Sequence, residues 1–104
     1  MATGDAPVLE TVLEMTAVSL QHTELDPATV VLLRLAALVA VDAPAASYLM
    51  HIGPGAEAGL SVDEVQDVLV TVAPIVGTAR TVAAAGKIVD ALGFAIAVAE
   101  AEDS

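Results

Sequence analysis

The chain has 104 residues, a formal charge of −11 and no cysteine. That length makes one domain, and the missing thiols exclude disulfides, cysteine catalysis and thiolate metal sites. Three basic residues against fourteen acids, with two aromatics and no Trp, exclude a nucleic-acid partner and disfavour an anionic membrane surface.

Residues 1–7 read as a disordered lead ahead of a single domain over residues 8–104. The lead has no basic block before an apolar one and so does not read as a signal peptide. From Val8 the apolar positions Val8, Val12, Met15 and Val18, with Leu9, Leu13 and Leu20 beside them, predict a helix to about His22. Asp26-Pro27 is a helix start, with Asp as N-cap and Pro at the first helical position. The helix Pro27–Val41 is apolar almost all round, which marks a central element buried against several neighbours.

Pro44 presets the next helix, Ala45–Ala58, where Gly53-Pro54-Gly55 predicts a kink or a change of helix and Gly59 a C-cap. Ser61-Val62-Asp63-Glu64 is a capping box opening a helix with Val65, Val68, Leu69 and Val72 on one face. Pro74 is expected to bend or end it. A last helix follows Gly77-Thr78 and stops at Gly93. The block Phe94–Ala99 beyond it, helical rather than extended, docks against a neighbour. No stretch reaches the ~18 uncharged apolar residues of a membrane span.

The sum is an all-α domain of five or six helices. Apolar residues make up 57% of the chain, against roughly 45–50% in ordinary soluble proteins on a broader count. One small globule cannot hide that excess, so an oligomer is expected. The lack of cysteine points weakly to a cytoplasmic address.

Arg34 and Arg80 sit in apolar helical sequence. A buried guanidinium stays charged and must find an acceptor. For Arg34 the readings are an ion pair with Glu57, Asp63 or Asp67, a fork for a substrate carboxylate, or an interface edge. Arg80 lies near a helix start, where its charge opposes the helix dipole, so it needs a specific anionic partner or a ligand. His51 lies one turn after Ser47 on the same face. It is either a proton-transfer group or a histidine satisfied by a carbonyl. Asp42 and Glu57 flank it as candidate orienting acids. Ser47 reads as a substrate-positioning hydroxyl rather than a nucleophile. Tyr48 is a pocket hydroxyl or an interface anchor. His22 reads as exposed, and two histidines 29 residues apart make no metal site.

One ordered set of features is specific. Arg34-Leu-Ala-Ala-Leu-Val-Ala-Val41 ends at Asp42. Ser47, Tyr48 and His51 follow, then Glu57-Ala-Gly59-Leu-Ser61, Asp63-Glu64-Val65 and Ala73-Pro-Ile-Val-Gly77-Thr-Ala-Arg80. Over about residues 25–93 this resembles the carboxymuconolactone decarboxylase superfamily, which includes the AhpD-like alkyl hydroperoxidases. The resemblance implies an all-helical homotrimer or homohexamer.

In the peroxidase branch a CxxC pair precedes a histidine. Those cysteine positions match Pro44 and Ser47 here, and a relay glutamate of that branch falls near Leu32. Without either thiol a cysteine peroxidase cannot operate. The decarboxylase branch lacks the pair and keeps the histidine, which matches His51. It implies a small carboxylated or lactone-like substrate held by Arg34, Ser47 or Arg80, proton transfer by His51, and no cofactor or metal. The competing reading is a non-catalytic helical scaffold or a binder of apolar ligands.

Overall fold

A computed structural model describes residues 5–102, which form five helices. They are α1 (Asp5–His22), α2 (Pro27–Ala40), α3 (Ala45–Glu57), α4 (Val62–Val76) and α5 (Thr78–Glu102). Of the predicted lead, residues 1–4 lie outside the described residues, and α1 begins at Asp5, ahead of the expected Val8.

The capping signals act as the sequence specifies. Asp26 accepts the Thr29 amide at 3.2 Å, with Pro27 opening α2. Ser61 and Glu64 cap each other reciprocally at the start of α4. Two helices end in Schellman motifs, in which a left-handed residue lets the following amides reach back to orphan carbonyls. After α3, Gly59 (φ +84) donates to Ala56 and Leu60 donates to Gly55. After α2, Asp42 takes the left-handed position (φ 55), donating to Val39 while Ala43 donates to Leu38.

Neither a change of helix at Pro54, nor an end at Pro74, nor the stop at Gly93 occurs. Pro54 lies inside α3, and Pro74 lies inside α4. Each removes an amide that would donate to the carbonyl four residues back, of Met50 and of Val70, yet the helices run on to Glu57 and Val76. Gly77 (φ +92) ends α4 instead. α5 runs through Gly93 to Glu102 and absorbs the Phe94–Ala99 block. Gly93 keeps helical backbone there, and the alanines at 95, 97 and 101 favour continuation. The fused segment Thr78–Val98 is long and apolar enough to cross a bilayer by length and mean hydropathy, although Lys87 and Asp90 fall in its middle.

α2 is the hub, packing on α3, α4 and α5, while α5 runs along α3 and α4. Val31, Leu35 and Val39 recur every four residues and form one buried stripe. Ala43, Tyr48, Ala84 and Ala91 complete the core, the two α5 alanines allowing close approach. α1 stands apart, its apolar side chains exposed. The radius of gyration is 14.5 Å, against about 13 Å for a compact chain of this length. The accessible surface is 6956 Å², against about 5,400 Å² for a monomer of this mass.

Candidate functional site

A cavity of about 200 Å³ opens between α2, α3, the start of α4 and α5. Its wall is mostly aliphatic: Val31 and Leu35 from α2, Ile52 from α3, Leu60, Val62 and Val65 around the α4 start, and Ile88 and Leu92 from α5. The local turns build it. The Schellman motif after α3 turns Leu60 inward, and the Ser61 cap then starts α4 beside it. Gly55 lines the wall, and a Cβ there would stand 3.5 Å from Val31 Cγ1 and 3.7 Å from Leu60.

His51 lies in this wall, half-buried. Its Nδ1 is 2.8 Å from the Ser47 carbonyl. A carbonyl only accepts, so Nδ1 carries the proton and the neutral ring keeps its lone pair on Nε2. The imidazole is thus oriented by a backbone carbonyl of its own helix. Neither Asp42 nor Glu57 orients the ring. Asp42 accepts from Lys87, and Glu57 is exposed at the end of α3. Ser47 meets His51 through its carbonyl rather than its hydroxyl, and it is not part of the cavity wall.

Tyr48 also belongs to the wall and is 1% exposed, with its hydroxyl buried and unpartnered among the described residues. Burial pushes the phenol pKa up, and the Asp42 carboxylate adds to that. The phenol therefore stays neutral across the physiological range.

The arginines lie elsewhere. Arg34 is half-buried and its Nη2 donates to the Thr16 carbonyl of α1 at 3.3 Å. Among the described residues, none of Glu57, Asp63 and Asp67, the acids expected beside it, forms an ion pair with it. Arg80 donates from Nη1 to the Ala40 carbonyl, at the negative end of α2. Its anionic partner is thus a helix terminus, and the Arg80 charge also helps depress Asp42. Neither arginine lines the cavity of its own chain.

The ion pair Lys87–Asp42, at 2.8 Å, ties α5 to the end of α2. Its hydrogen bond and charge hold the Asp42 pKa below its ordinary value. Nothing along the chain signals this pair, because 45 residues separate its members. A second groove, between α2 and α4, carries Glu64 and Asp67 beside Leu32. Among the described residues no group of His, Asp and Glu could hold a metal ion.

No curated protein and no solved structure matches the chain. A family model does, that of the carboxymuconolactone decarboxylase family, over residues 6–91. The match covers most of the chain and nearly all of the helical sequence that builds the cavity, so this cysteine-free protein belongs to the carboxymuconolactone decarboxylase family.

Proposed function

We propose that the chain is a cofactor-independent enzyme of the lyase or isomerase type, acting on a small carboxylated or lactone-like metabolite at the cavity between α2, α3, α4 and α5. One observation carries this reading: His51 sits in the cavity wall with Nδ1 tied to the Ser47 carbonyl, which leaves Nε2 to move a proton. The family name adds the chemistry. A lactone carbonyl acidifies the neighbouring C–H, and His51 takes that proton or returns it at another carbon. In a decarboxylation, the C–C bond to the carboxylate breaks and carbon dioxide leaves. The electron pair becomes an enolate, which a protonated His51 quenches at carbon.

The assembly is proposed to be a homotrimer or a homohexamer. The excess accessible surface and the exposed apolar faces of α1 and the end of α5 support it. A carboxylated substrate would need Arg34 or Arg80 delivered to the cavity of a neighbouring subunit, with Ser47 at its edge. The scaffold reading is favoured by one feature, the near absence of polar groups in the wall.

The test is proton exchange. Small lactones and keto acids are incubated with the protein in deuterated buffer and followed by proton NMR. Exchange at the carbon beside the carbonyl is expected, and His51→Ala should slow it by roughly 10²–10⁴-fold. No exchange by the wild-type protein, or equal exchange by the variant, leaves the scaffold reading.

A further inference from the structure

Three polar side chains belong to the cavity wall: Tyr48, His51 and Ser61. The Tyr48 oxygen has less than 1 Å² of accessible surface, so a ligand in the cavity does not reach it. His51 keeps Nε2 free, because Nδ1 is tied to the Ser47 carbonyl. Ser61 caps α4 and is exposed, which puts it at the mouth of the cavity.

The Ser61 hydroxyl has a proton that the helix cap does not use. Two backbone donors close the capping box: the Glu64 amide gives to Ser61 Oγ, and the Ser61 amide gives to Glu64 Oε1, each at 3.1 Å. The hydroxyl proton goes to the same Glu64 Oε1, with Oγ 3.2 Å away. That is longer than the ~2.5–3.0 Å of an O–H···O bond, and far longer than the ~2.5–2.7 Å of one to a carboxylate. A hydroxyl rotates to suit its acceptor. This proton can turn to a better acceptor while both capping bonds stay.

A carbonyl oxygen in the cavity is such an acceptor. The cavity is about 200 Å³, and one of about 150 Å³ holds benzene, so His51 and Ser61 face one small ring. Removing a proton beside a carbonyl sends the C–H electron pair into a carbon–carbon double bond and the carbonyl π pair onto oxygen. Loss of carbon dioxide delivers its electron pair to the same place. The charge forms on oxygen, where His51 as the base at carbon does not meet it. A positioned donor there lowers the barrier.

We propose that Ser61 is a second catalytic residue of this cavity: its hydroxyl turns from Glu64 and donates to the substrate carbonyl oxygen as that oxygen becomes an enolate, while His51 Nε2 moves the proton at carbon. This rests on the proposed proton-transfer reading and deepens it. Ser61 keeps its proton throughout, and the proton that moves passes between carbon and His51. A substrate carboxylate is left to the arginine of a neighbouring subunit.

The test uses Ser61→Gly, Ser61→Asp and Ser61→Thr in the full chain. Gly and Asp cap helices, and neither side chain donates at neutral pH; Thr caps and keeps the hydroxyl. Exchange is followed in deuterated buffer on γ-butyrolactone and on its 3-carboxylate. Ser61→Gly should lower kcat by roughly 10²–10³-fold, as loss of one oxyanion donor does, with KM nearly unchanged. Ser61→Asp should lose at least as much and stands in where the glycine variant fails to fold. Ser61→Thr should stay within about tenfold of wild type. A second measurement needs no turnover. The carbon-13 signal of γ-butyrolactone labelled at its carbonyl should move downfield on binding to wild type and Ser61→Thr, and not on binding to the Gly or Asp variant.

Where exchange occurs, kcat decides; where it does not, the carbonyl signal decides. Wild-type rates in a folded Gly or Asp variant, with His51→Ala still inactive, would overturn this proposal and leave the proton-transfer reading intact. An equal loss in Ser61→Thr would overturn it too. A carbonyl shift that depends on Ser61, in a protein that exchanges nothing, would support the Ser61–carbonyl bond and overturn the proton-transfer reading. Neither exchange nor a Ser61-dependent shift would overturn both.

Discussion

Helices α1 and α2 are built from similar side chains and meet opposite environments. α2 buries Val30, Val31, Leu35 and Val39. On α1, Val8, Leu9, Val12, Leu13, Met15, Val18 and Leu20 are 42–66% exposed. The stripe on α2 has three helices around it, whereas α1 is gripped by the Arg34 hydrogen bond to the Thr16 carbonyl. An apolar pattern therefore records that a face is to be covered, and says nothing about whether the same chain covers it. The lesson carries to the end of α5, where Phe94 and Ile96 are each 58% exposed.

The strongest way to break this contrast is to change α1. Leu9→Ser with Leu13→Ser should weaken assembly by about 3–6 kcal/mol per subunit, from roughly 1.5–3 kcal/mol for each leucine buried. Light scattering should show wild-type protein at about three or six times the 10.4 kDa chain mass, and the variant near one. Unchanged mass would mean that α1 is not an assembly face.

The core side predicts a loss inside one chain. Tyr48→Ala should cost about 3–5 kcal/mol in denaturant unfolding, as large aromatic truncations do. Tyr48→Phe should be nearly neutral or stabilising, because the lost hydroxyl has no partner among the described residues. A large penalty for the Phe variant would reveal a partner for that oxygen in the assembly.

The connection between the two regions is weaker. Arg34→Met should cost about 1 kcal/mol, the scale of one net hydrogen bond. Its mark is local: amide exchange should speed up along α1 and stay unchanged in α2. Uniform acceleration would show that Arg34 supports the core itself.

The smallest effect concerns the end of α2. The folded-state pKa of Asp42 is depressed below 3.8. Its contribution is therefore present above that value and is lost as pH falls through the folded pKa. Asp42→Asn should remove this acid dependence while tolerating the left-handed backbone, which Asn also adopts. Denaturation midpoints of wild type and variant should differ slightly at neutral pH and converge in acid. A difference that grows in acid would contradict the Lys87–Asp42 assignment.

The sequence determined much of this architecture. Asp26-Pro27, the Ser61–Glu64 box and Gly59 place helix ends through contacts a few residues apart, and these are legible along the chain. The absence of thiols is equally plain, as is the family order of residues. Gly93 misleads, because a residue that weakens a helix does not say whether the flanking residues outweigh it.

Tertiary structure decided where the charges go. Arg34 and Arg80 each needed an acceptor, and each found a backbone carbonyl of another helix, Thr16 and Ala40. Sequence exposes carboxylates as candidate partners but hides carbonyls, since every residue carries one and helix packing selects which is left over. His51 is legible as a residue one turn from Ser47. Its Nδ1–H bond to the Ser47 carbonyl is local to α3, whereas the aliphatic cavity around the ring follows from the packing of four helices. Short-range capping and periodicity are properties of neighbours in the chain. A cavity and its charge are properties of neighbours in space.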